Sequence, residues 1–225
     1  MSTEAALAAS PYSHKHPFFA LHPVNRRLSG AGSEKDTRHH EISLAGSGLS
    51  YLPGDALGLV PQNCPALVEE LLTALHATGD ELVPGKDGAP KPLRDALRTD
   101  FAIHFAEKKF VEAAAQRGAE KLATLLQPEN SDALKVYLTG RNHSRDYVDL
   151  LRECPGVTFA AEEFVKLLRK LPPRLYSIAS SLQAHPDSVH LTVATVRYES
   201  RGRAREGVAS TFLAKRWPAD RKSVV

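Results

Sequence analysis

The sequence predicts a mainly β plus α protein, an antiparallel β-barrel interrupted by an all-helical insertion. Two observations carry this: apolar residues alternate with period two near both ends of the chain, and between residues 65 and 170 they recur at helical spacing instead. The order is therefore strands, helices, strands and a closing helix. A doubly wound α/β sheet would alternate its strands and helices regularly, so the barrel with an insertion fits better.

The elements can be justified in turn. Phe19–Leu28 and His39–Leu44 read as two strands joined by the turn-rich Ser29-Gly30-Ala31-Gly32-Ser33. A Pro53-Gly54 turn then feeds a short apolar strand within Tyr51–Val60, closed by Pro61. From Pro65 the helical period takes over, in Leu67/Leu71/Leu72/Leu75, Leu93/Leu97, Phe110/Ala114, Leu122/Leu125/Leu126 and Tyr147/Leu150/Leu151. Breaks at Val83–Pro92, Gln127–Ser131 and Cys154–Thr158 divide this region into short packed helices. Strand character returns at Arg174–Ser180 and, more cleanly, at Val189, Leu191, Val193 and Thr195 through Val196. Gly207 opens a last helix to about Trp217. The expected division is a flexible arm over 1–17, a barrel from 18–62 and 171–225, and a helical insertion over 63–170.

Composition narrows the function classes. A chain of 225 residues that is 42% hydrophobic can bury a proper core. Its two cysteines, Cys64 and Cys154, are far apart and in no metal-ligand spacing, which fits thiols of a reducing, cytoplasmic compartment better than a disulfide. No metal site is expected. The formal charge of +3 is too small to suggest nucleic acid unless it is clustered. One cluster exists, Arg197, Arg201, Arg203 and Arg205, interrupted by Glu199 and Glu206. It reads either as a solvated hairpin or as an anion site. The N-terminal residues show no basic region followed by a long apolar run, and no stretch of about 18 apolar residues occurs, so neither secretion nor membrane spanning is expected.

Two motifs suggest chemistry. In Arg174-Leu175-Tyr176-Ser177, period two puts Arg174 and Tyr176 on one strand face, where a guanidinium can hold pyrophosphate and a phenol ring can stack on a flat heterocycle. The same pair is also ordinary cross-strand packing of a tyrosine under an arginine stem. Gly207-Val208-Ala209-Ser210-Thr211 precedes an amphipathic segment, so its backbone amides and hydroxyls could receive an anion; it also reads as a plain helix cap.

Three stretches, Arg174–Ser181, Val189–Tyr198 and Gly202–Leu213, together with Gly32–His39 and Tyr51–Gly58 upstream, resemble in order and spacing the FAD-binding core of the diflavin reductases, of the ferredoxin-NADP-reductase type, nearest to the sulfite reductase flavoprotein branch. The resemblance spans about residues 20 to 217. It implies a Greek-key FAD-binding barrel with the helical segment as connecting domain. It further implies that Arg174 holds the FAD pyrophosphate, Tyr176 stacks on the isoalloxazine, Leu175 lies in the binding strand, and Ser177 hydrogen-bonds near flavin N5 as the catalytic residue. Period two turns Ser177 away from Tyr176, so its role requires the strand to twist or end there. Thr192, Val193 and Ala194 would line the flavin and ribityl through their backbone, Tyr198 would face the cofactor's other end, and Gly207, Val208, Ala209 and Ser210 would cap the pyrophosphate. His104 and Arg145 fall near further family contacts without a secure alignment.

The implied parent activity is NADPH-dependent reduction of FAD, with electrons passed to a flavodoxin-like domain or a haem or iron–sulfur protein. No glycine-rich dinucleotide fingerprint and no FMN-binding flavodoxin-like segment occur in the sequence. The NADPH-binding domain is therefore expected to be missing here, through excision, natural truncation or a split enzyme. The rival expectation is a non-catalytic flavin-binding or docking module. A weaker one is nucleic-acid binding through the arginine cluster.

Overall fold

Ordered along the chain, the computed structural model, described for residues 10–13, 16–140, 144–217 and 223–225, contains strands β1 (Phe19–Ala20), β2 (Val24–Arg27), β3 (Thr37–Ser43) and β4 (Ala56–Leu59), then α1 (Pro65–Leu75). Next come β5 (Leu82–Pro84), β6 (Pro90–Pro92), α2 (Leu93–Thr99), α3 (Lys108–Gln116), α4 (Glu120–Leu125), a 3-10 turn (Pro128–Asn130), α5 (Ser131–Thr139), α6 (Tyr147–Glu153) and α7 (Ala161–Lys166). The chain continues with β7 (Arg174–Ser177), β8 (Ser188–Ala194), β9 (Arg197–Ser200), β10 (Arg203–Glu206), α8 (Val208–Thr211), a π-helical turn (Phe212–Arg216) and β11 (Ser223–Val224). All strand pairing is antiparallel. Most of the expected arm over 1–17 lies outside the described residues. Among the described residues, no helix is long and apolar enough to cross a membrane.

Two compact units emerge. The first comprises Met1–Pro61, Pro173–Val196 and Ala209–Val225; the second comprises Gln62–Pro172 and Arg197–Val208. In the first, β3 lies between β2 and β8, β4 pairs with β7, and β1 pairs with β11. Alternation explains which side each residue takes. His40 and Ile42 of β3 and Val189, Leu191 and Val193 of β8 are buried, whereas Thr192 and Ala194 are exposed. This inner face packs with Tyr51, Leu59, Phe212, Leu213 and Trp217 into one apolar cluster. The turn expected at Pro53-Gly54 is present and the short strand that it feeds is β4, starting at Ala56: Gly54 sits at φ +99°, and the Asp55 amide donates to the Leu52 carbonyl at 3.1 Å.

The second unit packs its helices around Leu71, Leu93, Leu97, Phe110, Leu122, Tyr147, Leu150 and Phe164. Phe110, Tyr147 and Phe164 meet edge to face, with ring centroids 5.3 to 6.1 Å apart, a favoured aromatic geometry. Buried Asn63 closes the carbonyl end of α2, donating to Leu97 at 2.6 Å and Phe101 at 2.7 Å. The break expected at Val83–Pro92 is in fact a small hairpin, β5 with β6. Its prolines face each other across the ladder, Pro84 opposite Pro90 and Leu82 opposite Pro92, and so mask the strand pattern. The β9–β10 hairpin, expected in the barrel, groups with the helices instead, because its arginines are tied to α6 by ion pairs described below.

Candidate functional site

The β7 strand carries the first group of expected site residues. Arg174, Leu175, Tyr176 and Ser177 pair in that order with Leu59, Gly58, Leu57 and Ala56 of β4. Tyr176 is half-buried against the apolar cluster of the first unit, while Arg174, Leu175 and Ser177 are exposed. Arg174 and Tyr176, two residues apart on the strand, share one face; burial pushes the Tyr176 phenol up and the Arg174 cation pulls the other way. Arg174 makes no hydrogen bond or ion pair among the described residues, although carboxylates pair with many other arginines of the chain. β7 ends at Ser177. There the backbone changes partner: the Ile178 amide donates to Asp55, Ile178 bridges to Leu191, and the Ala179 amide donates to His190 at 2.8 Å.

The second group lies on β8. The Thr195 amide donates to Asp36 and the Leu44 amide to Asp187, which fixes the hydrogen-bonded pairs of β3 and β8 as 36/195, 38/193, 40/191, 42/189 and 44/187. The amides and carbonyls of Thr192 and Ala194 therefore point away from β3. The Thr192 amide meets the Ser177 carbonyl across the Ile178–Leu191 bridge, and beyond it β7 follows β4 rather than β8, so the Thr192 carbonyl and the Ala194 backbone groups have no strand partner on that side among the described residues. Exposed and unpaired on that side, this short stretch of edge can offer its backbone groups to a ligand rich in donors and acceptors. Val193 turns inward to the apolar cluster, and its backbone is committed to Arg38 of β3. Ser180 braces the region, accepting from the His190 amide at 3.0 Å and meeting the Tyr51 hydroxyl at 2.7 Å.

The third group follows β10. Ala209 and Ser210 are buried, Gly207 and Val208 half-buried. The Ser210 hydroxyl accepts from the Val196 amide at 3.1 Å, so one of its lone pairs ties the start of the closing helix to the end of β8. Tyr198 lies on β9, 38% exposed, opposite Arg205.

Sequence reasoning missed what the arginine cluster does. Arg203 donates to Asp146 at 2.9 Å, to Asp149 at 2.8 Å and to Glu70, and Arg205 reaches both Asp146 and Asp149. Asp146 also caps α6: its carboxylate accepts from the Asp149 amide, and the Asp149 carboxylate accepts from the Asp146 amide. Burial alone would raise the Asp149 carboxyl, but the Asp146 amide and the two guanidiniums outweigh it and hold it below the usual carboxylate range. Arg201 pairs with Glu153 at 2.7 Å. These cations are matched by carboxylates, so the cluster is a structural clasp and not an open platform for polyanions. The only sequence signal was the Asp146/Asp149 spacing at the head of a helix. Arg145 stacks on Tyr137 at 3.6 Å and pairs with Glu153, and His104 lies edge-on to Phe105.

Comparison with known proteins adds the family. The model described as "FAD binding domain" matches residues 10–212. The chain is 47% identical over 209 residues to the sulfite reductase [NADPH] flavoprotein alpha-component of Bacillus subtilis (strain 168), covering 92% of this chain and 34% of that protein. It is 45% identical over 215 residues to the protein of the same name from Serratia proteamaculans (strain 568), covering 95% and 35%. It is 41% identical over 216 residues to that from Zymomonas mobilis subsp. mobilis, covering 93% and 34%. The chain thus spans about a third of the length of the curated relatives it matches.

Proposed function

The chain belongs to the FAD-binding domain family, and on that premise we propose that it is the FAD-holding part of an NADPH-dependent flavoprotein reductase of the sulfite reductase kind. The observation that carries the reading is the pairing, within one unit, of an uncommitted cation beside a half-buried aromatic on β7 with an open backbone edge on β8. That donor set fits FAD, which presents a pyrophosphate, a polyol and a flat polar ring system.

Bound flavin supplies hydride acceptance and electron transfer, and the protein supplies position and electronics. In this reading Arg174 holds the pyrophosphate through charge-assisted hydrogen bonds, and Tyr176 offers its ring face for stacking. Leu175 lies on the outer face of the same strand. Thr192 presents its carbonyl and Ala194 its amide and carbonyl, with Val193 anchoring the strand between them. Ser177, at the end of β7 where the chain swings to β8, is the residue proposed to hydrogen-bond the reacting edge of the ring. Ala209 and Ser210 fix the start of the closing helix. The cofactor roles of Tyr198, Gly207 and Val208 rest on family resemblance alone.

The fold itself is proposed as a Greek-key barrel with a helical connecting insertion. The Ile178–Leu191 bridge supports this, since it links the β4–β7 ribbon to the β2–β3–β8 sheet. NADPH, which figures in the relatives' names, would bind to residues outside this segment, which carries no dinucleotide fingerprint. Electrons would pass on to a flavodoxin-like domain or a haem or iron–sulfur protein.

A FAD titration followed by flavin fluorescence tests the reading. Wild type should quench saturably. Tyr176→Ala should weaken binding roughly tenfold and Arg174→Ala about 10- to 100-fold, in line with a lost aromatic contact and lost ionic hydrogen bonds. Equal affinity in all three proteins would remove β7 from the site, and no uptake by any of them would leave a non-catalytic docking module as the better account.

A further inference from the structure

The outer face of the β3–β8 pair carries a convergence of side chains that flavin binding does not use. Because His40 and Ile42 of β3 point into the core, His39 and Glu41 point outward, two residues apart on one strand face. On β8, His190 lies directly opposite Glu41. Nε2 of His39 is 3.1 Å from Oε1 of Glu41, and Nε2 of His190 is 3.8 Å from its Oε2. All three donor atoms lie within 4.8 Å of one another. The His185 ring sits 4.1 Å from that of His190, and the Ser188 hydroxyl is 3.2 Å from its Nε2.

We propose that His39, Glu41 and His190 bind a divalent first-row transition ion, with zinc the best match. Two imidazoles and a carboxylate form a donor set that suits zinc and its borderline neighbours and does not suit magnesium or calcium. A tetrahedral ion with bonds of about 2.1 Å places its donors roughly 3.4 Å apart, between the closest approach of 3.1 Å and the 4.8 Å limit that encloses all three, so small rotations of the three side chains complete the triangle. The fourth position falls to His185 or to water. An ordinary ion pair explains His39 beside Glu41 but not why a second imidazole, 149 positions away in sequence, comes to the same carboxylate. The side chains are 18%, 33% and 11% exposed for His39, Glu41 and His190, open enough for an ion to enter yet held by the sheet. Bound there, the ion pins β3 to β8, and this inference does not depend on the flavin assignment.

The test is isothermal titration of the full chain, free of any polyhistidine tag, with zinc chloride in a non-coordinating buffer near neutral pH. The expected result is one zinc per chain. Glu41→Gln and His39→Gln should each bind at least tenfold more weakly, while His16→Gln, at an exposed position off the cluster, binds as wild type. Circular dichroism of each variant confirms folding. Zinc added to the wild type should shift the imidazole resonances of His39 and His190 and raise the melting temperature, a readout that survives even if a variant misfolds. No stoichiometric binding, or one-to-one binding unchanged in both cluster variants, overturns the proposal.

Discussion

Acid should loosen the first unit through one buried pair. His40 is 1% exposed; its Nδ1 lies 2.9 Å from Nε2 of His22, whose ring in turn packs 4.9 Å from Trp217. Burial, reinforced by the neighbouring His22, lowers the His40 pKa from 6.5 to about 3, and burial lowers that of His22 as well. The folded state therefore refuses a proton that the unfolded chain accepts below pH 6.5. Stability from this pair is complete above that value and falls as pH drops through it. For one histidine whose native form stays neutral, the loss between pH 7 and pH 5 is about 2 kcal/mol, since each pH unit well below 6.5 costs about 1.4 kcal/mol. Partial solvent access and relaxation reduce this to about 1 to 2 kcal/mol. Urea unfolding followed by Trp217, the only tryptophan in the chain, reports on this neighbourhood directly. With a slope of about 2 kcal/mol per molar urea, the midpoint should move down by roughly 0.5 to 1 M between the two pH values. His40→Asn keeps a polar atom near the Nδ1 position but cannot titrate, so its midpoint should move by distinctly less. Parallel shifts in wild type and variant would refute the assignment of the acid sensitivity to His40.

Other expectations concern the clasp and the helix start. Arg205→Ala leaves Asp146 and Asp149 short of a counter-charge inside the second unit and should cost about 3 to 5 kcal/mol, read from helical circular dichroism in urea; a loss under 1 kcal/mol would mean that Arg203 alone satisfies both carboxylates. Ser210→Ala removes the acceptor of the Val196 amide and should destabilise by about 1 to 2 kcal/mol. If Ser210→Ala instead left stability untouched and weakened only FAD binding, its hydroxyl would belong to the ligand rather than to β8.

Local pattern revealed what local forces decide. Alternation at Val189, Leu191 and Val193 located β8, and helical spacing at Leu71, Leu97, Phe110 and Leu150 located core helices, because burial on one face imposes those periods. The β5–β6 hairpin stayed hidden, since Pro84, Pro90 and Pro92 are residues that normally argue against a strand. Arg174 and Tyr176 could be placed on one face by counting. That Arg203 and Arg205 are neutralised could not, since their partners lie 54 to 59 positions away on α6. Nor could the free edge at Ala194 be foreseen: it depends on which parity of β8 faces β3, a one-residue choice fixed only by the Asp36 and Asp187 contacts.

The pairing of β3 with β8 has a consequence for synthesis. His40 meets Leu191 across the ladder, so a ribosome adding about 5 to 20 residues per second leaves β3 waiting roughly 8 to 30 s for its partner. Throughout that interval β3 is paired only with β2 and keeps one edge open and an apolar side uncovered, the kind of surface on which neighbouring chains associate. The helices of Gln62–Pro172 wait less, because their most distant partners, α1 with α6 and β5 with α7, are all synthesised by Lys166.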